Sequence, residues 1–234
     1  MRPYRLLLAF LAVGLAACVS PQACAQATLT TLFTNGPTAN RINMVVLSEG
    51  YTASQRGQFL IDARGAVSNL LATIPYREYS NYFNAFAISV ASTQSGSDHH
   101  TPAVNLVNTY FNSTYDSYGI QRLLTIPPND WDSGYANGQG KVDSLLQSLM
   151  PEHDLVLLLV NDPQYGGSGS SLLLISSLHS QSAELVRHES GHPFGSLADE
   201  YTDAYPGFVP PTARSADNAS APATHQTNPV RRPR

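Results

Sequence analysis

Asp154-Leu155-Val156-Leu157-Leu158-Leu159-Val160 decides the fold. An unbroken apolar run behind a single aspartate has no polar side, so the segment reads as a strand covered on both faces, as in a sheet flanked by helices. Just upstream, Val142, Leu145, Leu146 and Leu149 recur at helical intervals, which predicts a helix over Lys141 to Met150. Downstream, Ser171-Leu172-Leu173-Leu174-Ile175-Ser176 reads as a further strand, followed by a helix from about Ser182 to His192. Nearer the start, Arg41 to Leu47 and Phe86 to Val90 are strand-like. Between them, Thr52-Ala53-Ser54-Gln55 has capping-box spacing, and Phe59, Leu60, Ala63, Val67, Leu70 and Leu71 follow with helical periodicity. Strands alternating with helices predict an α/β domain, a layered mixed sheet with helices. Residues 92–140, rich in Asn, Ser, Tyr, Gly and Pro, read as a loop-rich insert packed by Tyr110, Phe111, Tyr115 and Tyr118.

The chain has 234 residues, enough for one or at most two domains. Charged residues make up 13% of it, about half the roughly 25% usual in soluble domains. Net charge is -4, and the basic side is 12 Arg with the single Lys141. That balance has no footprint for a phosphate backbone, which excludes nucleic acid as an expected partner.

Arg2 and Arg5 precede the apolar stretch Leu6 to Ala17. This is too short for a bilayer, which takes about 20 residues, but it fits an export leader over residues 1–25. Leu15-Ala16-Ala17-Cys18 looks like a bacterial lipobox that would make Cys18 a lipidated first residue, the one expected membrane attachment. Ala23-Cys24-Ala25 fits ordinary cleavage that would leave Gln26 first. Either way the expected destination is the bacterial envelope or the outside. Both cysteines lie before Gln26, so disulfides, thiolate catalysis and Cys-ligated zinc are excluded from the domain expected over residues 26–201. Residues 202–234 are rich in Pro and Ala and poor in large apolar side chains, so disorder is expected there.

The chemistry is expected in Glu184-Leu185-Val186-Arg187-His188-Glu189-Ser190-Gly191-His192. Histidines four apart on a helix share a face, about 6 Å apart along the axis, so His188 and His192 can reach one Zn2+ ion. Glu189 can then act as general base on a water activated by that ion, and later as proton donor. A catalytic zinc takes three protein ligands. Gly195 is placed to turn the chain as the helix ends, after which Asp199 is the first choice for the third ligand and Glu200 the second. Other groupings are weaker: Asp98-His99-His100 could bind a metal but read rather as solvated polar residues of a Ser/Gly-rich loop, and Gly166 to Ser170 reads as a flexible loop between strands at the border of the cleft. Tyr165 and Tyr201 are placed as packing residues that could also hydrogen-bond an oxyanion. Trp131 has no assignable role.

His188-Glu189-Ser190-Gly191-His192, Phe194-Gly195 and Leu197-Ala198-Asp199-Glu200-Tyr201 together resemble the active-site block of the IgA peptidase family of zinc metallopeptidases. Upstream, Leu47-Ser48-Glu49-Gly50-Tyr51, Asn84-Ala85-Phe86, Ser95-Gly96, Val160-Asn161 and Tyr165-Gly166-Gly167 are similar in kind and order, so the resemblance runs from about Asn40 to Tyr201. It implies a zincin-like catalytic domain, zinc on His188 and His192, Glu189 as base and Asp199 as third ligand. Two features depart from the family. Pro193 follows the second histidine directly and is expected to end the helix there. Past the acidic block comes the Pro/Ala stretch, so the lower subdomain is expected to be missing. No methionine follows Met150, so no Met-containing turn underlies the metal. The expected function is zinc-dependent endopeptidase action on protein or peptide substrates, without a covalent intermediate. The competing expectation is a non-catalytic exported or lipid-anchored envelope binding protein derived from a truncated peptidase.

Overall fold

The computed structural model describes residues 27–132, 137–169, 173–195 and 197. Six strands, β1 (Thr28–Phe33), β2 (Ile42–Glu49), β3 (Phe83–Ser89), β4 (Leu155–Val160), β5 (Gly167–Gly169) and β6 (Leu173–Ser177), form one sheet in the order β1-β3-β2-β4-β6-β5. The inner four run parallel, and β1 and β5 pair antiparallel at the two edges. The helices are α1 (Arg56–Leu71), α2 (Gly138–Leu149) and α3 (Ser182–Gly195). The expected α/β layering is observed.

All six residues of β4 are buried. Alternation sends Leu155, Leu157 and Leu159 to one face with Met44 and Val46 of β2, and Val156, Leu158 and Val160 to the other with Val45 and Leu47. The first face packs on Phe59, Ala63, Val67 and Leu70 of α1 and on Val186 of α3. The second packs on Val142 and Leu146 of α2 and on Phe111, Tyr115, Leu124 and Ile126 of the insert. The capping box forms: Thr52 donates its N–H to Gln55 Oε1 at 2.9 Å, opening a short 3-10 turn that leads into α1.

The insert is fastened to the sheet through Glu49, the last residue of β2. This carboxylate is fully buried and accepts from Thr109 Oγ1 at 2.5 Å, Phe111 N–H at 2.9 Å and Ser113 N–H at 2.9 Å. A second attachment joins Gly96 N–H to the Gly50 carbonyl, and Asn161 Nδ2 donates to Gly50 O and Ser95 Oγ. Tyr115 and Phe111, expected to pack the insert, are fully buried, whereas Tyr118 is exposed.

Four features differ from expectation. β1 was not anticipated; Thr28 to Phe33 alternates weakly, and pairing with β3 decides its conformation. β3 starts at Phe83, before the expected Phe86. The stretch expected to be a flexible loop contains β5, whose glycines have little strand propensity but are held by β6 on one side and by the Leu124 N–H to Gly167 carbonyl bond on the other. Finally, α3 passes through Pro193 and ends at Gly195, which does not adopt a positive φ. The ring removes only the N–H that would meet the Glu189 carbonyl, and with one turn of helix left the packing of α3 on β6 prevails. Residues 1–25 and 202–234, and with them the leader, the tail and the expected loss of a lower subdomain, lie outside the described residues. Among the described residues no helix is long and apolar enough to cross a membrane.

Candidate metal centre

α3 follows β6 through a turn in which Gln181 N–H donates to His179 Nδ1 at 3.2 Å and Ser182 N–H to the His179 carbonyl at 2.8 Å. Glu184 in its first turn faces the positive end of the helix dipole and pairs with Arg187. Leu185, Val186, Glu189 and Ser190 are buried. Ser190 Oγ donates to the Arg187 carbonyl at 2.8 Å and bonds the Tyr76 hydroxyl at 2.7 Å, fastening the middle of the helix to the segment that precedes β3. The opposite face carries the histidines, His188 exposed and His192 partly so.

His188, Glu189 and His192 each present a ligand atom, and these atoms lie within 4.8 Å of one another. The imidazole rings are 5.2 Å apart at 89°. His192 Nε2 stands 3.9 Å from Glu189 Oε2. Its other nitrogen, Nδ1, is 2.8 Å from the Leu197 carbonyl. A carbonyl oxygen only accepts, so Nδ1 is the donor in this contact, and Nε2 is the nitrogen turned toward Glu189. β5 brings Gly169 against Glu189 and His192. Two imidazoles beside a carboxylate form a donor set suited to a divalent transition metal.

A family model for IgA peptidase M64 matches residues 30–232. The chain belongs to that family. The match runs from β1 through all three helices and on through residues 202–232, which composition had set apart, and it confirms the resemblance carried by the residues from Asn40 to Tyr201. No curated protein matches the chain. As an IgA peptidase M64 member it is of a peptidase family, and the helix that carries the His-Glu-x-x-His motif holds its candidate metal-binding group.

Of the residues expected in this member's site, His188, Glu189 and His192 converge, while Asp199, Glu200 and Tyr201 lie outside the described residues. Tyr165 packs edge-on against His179 at 5.4 Å and under the Arg122 guanidinium at 5.6 Å. Asp98, His99 and His100 do not converge as ligands. Asp98 accepts from Val107 N–H, His99 Nε2 meets Asp162 Oδ2 at 2.8 Å, and His100 stacks on Trp131 at 3.7 Å. They are framework of the insert rather than solvated surface, and Trp131 thereby gains a packing role. Sequence reasoning missed Gly169, Ser190, Tyr76 and Leu197 as supports of the site. The run of small residues at 166–170 was the one available signal, since Gly169 within it lies against Glu189 and His192.

Proposed function

We propose that this chain is an exported zinc-dependent endopeptidase in which His188 and His192 hold the ion, Asp199 supplies the third ligand ahead of Glu200, and Glu189 is the general base. The convergence of His188, Glu189 and His192, with His192 Nε2 turned toward Glu189, carries this reading. Leu197 N–H also bonds the Gly191 carbonyl at 3.1 Å. The chain thus folds back over the helix end two residues before Asp199, which favours a third ligand from that stretch. Export rests on the charged start and apolar stretch of residues 1–25, with Cys18 as the candidate lipid anchor.

A zinc ion held there supplies a Lewis acid that polarises the scissile carbonyl and lowers the pKa of water. Glu189 has the place and surroundings of a proton carrier. Its side chain is buried, one edge is set by Gly169, and its Oε2 lies 3.9 Å from His192 Nε2. It takes a proton from the attacking water on its carboxylate and returns it to the departing amine, so no enzyme group bonds covalently to the substrate. The test is zinc content per chain together with cleavage of unfolded casein before and after chelation. One zinc per chain and chelator-sensitive cleavage are expected. Zinc bound without cleavage would leave a binding protein, and cleavage indifferent to chelation would overturn the metal reading.

A further inference from the structure

We propose that the Leu197 main-chain carbonyl is the positioning group that fixes His192 in its Nδ1–H tautomer, and that the Leu197 side chain, seated on the bare Cα atoms of Gly191 and Gly195, holds that carbonyl in place. The inference rests on the reading of His192 as a metal ligand. Three observations meet at one residue. The Leu197 carbonyl lies 2.8 Å from His192 Nδ1. Its N–H donates to the Gly191 carbonyl at 3.1 Å, closing the turn that leaves α3. Its side chain covers both glycines: a methyl group at Gly195 would fall 3.1 Å from Leu197 Cγ, and one at Gly191 would fall 3.4 Å from Cδ1. Leu197 is 46% exposed. General core packing therefore does not account for its place.

The chemical effect follows from the acceptor. Free histidine favours the Nε2–H tautomer, which would turn a proton toward the cluster where a lone pair is needed. A carbonyl fixed at Nδ1 reverses that preference and puts the lone pair on Nε2, the nitrogen 3.9 Å from Glu189 Oε2. Partners of this kind typically alter metal affinity 10- to 100-fold when removed. The clasp also assigns a role to the two glycines around Pro193: each leaves the space that a leucine carried back over the helix end requires.

The test reads the tautomer directly, in metal-free full-length protein with 15N-labelled histidine, by long-range 1H–15N correlation. Wild type is expected to show His192 with Nδ1 protonated. Leu197→Ala is expected to shift the ring toward a mixture of tautomers and to weaken zinc affinity by roughly 10- to 100-fold, with Leu197→Met restoring both. Gly195→Ala, which crowds Leu197 Cγ, is expected to move the tautomer in the same direction and supplies the reading should Leu197→Ala fail to fold. A wild-type ring protonated at Nε2 would overturn the proposal, as would folded variants that keep the wild-type tautomer and zinc affinity. A wild-type ring protonated at Nδ1 in a chain that takes up no zinc would uphold the tautomer assignment while removing the peptidase reading, so the two failures are distinguishable.

Discussion

Gly169 leaves the space that the Glu189 carboxylate fills. A methyl group at this position of β5 would lie 2.7 Å from Glu189 Oε2 and 3.2 Å from His192 Cδ2, so edge strand and motif helix fit together because one has no side chain. Gly169→Ala is expected to displace Glu189 and lower kcat at least about tenfold, a part of the roughly 10²- to 10⁴-fold that a positioned acid or base contributes, with zinc still bound and Tm little changed. Steady-state cleavage of unfolded casein alongside metal analysis checks this. Unchanged kcat would show that the carboxylate needs no such fit.

Glu189→Gln keeps the shape of the side chain and removes its basicity. Zinc content is expected to stay at the wild-type level while hydrolysis falls about 10²- to 10⁴-fold. Retention of more than about a hundredth of the activity would move the base to another residue.

The third ligand can be assigned by comparing two neighbours. Asp199→Ala is expected to weaken zinc affinity much more than Glu200→Ala, measured by competition with a chromogenic chelator. The reverse order would assign the ligand to Glu200.

Burial pushes the Glu49 carboxyl above its ordinary value of 4.5, against the pull of hydrogen bonds from Thr109, Phe111 and Ser113 toward the charged form. A carboxyl whose folded pKa is raised binds its proton more tightly in the folded than in the unfolded chain. Its contribution is therefore complete below the unfolded pKa and is lost as pH rises through the folded one. Glu49→Gln turns an amide donor toward main-chain N–H groups and is expected to cost about 1–3 kcal/mol. Because the variant lacks the titration, the gap to wild type should narrow as pH rises. Urea unfolding of both proteins from about pH 4 to pH 8 measures the trend. A gap that widens would mean that the three donors outweigh burial.

The sheet interior and the motif helix were legible because their signals are local. β4 is apolar throughout, α1 announces itself by Thr52, Gln55 and a helical stripe, and His188, Glu189 and His192 carry their geometry in their spacing. What sequence reasoning missed depends on contacts distant in the chain. β5 is Gly-Ser-Gly, with no propensity of its own, and exists because β6 and Leu124 pair with it. Glu49 looks like any acidic residue at a strand end until the donors of residues 109, 111 and 113 close on it from 60 or more positions away. Pro193 reads as a helix stop, yet α3 has only two residues left to complete and its packing carries it past the ring. Leu197 is silent in sequence because the group that meets His192 is a main-chain carbonyl, which every residue carries.

The strand order has a consequence for where chemistry can occur. From β2 the chain crosses to β3 on one side, and from β3 it returns over β2 to β4 on the other, so the crossovers part company between β2 and β4. In open α/β sheets the crevice beyond the carboxyl ends at such a parting is the usual berth for a ligand. Here that berth is occupied by the protein itself, since Glu49 and Asn161, one at each lip, are spent on holding residues 95 to 113 in place. The insert acts as a built-in occupant, and the candidate metal-binding group stands instead on a helix beside the outermost strand, β5.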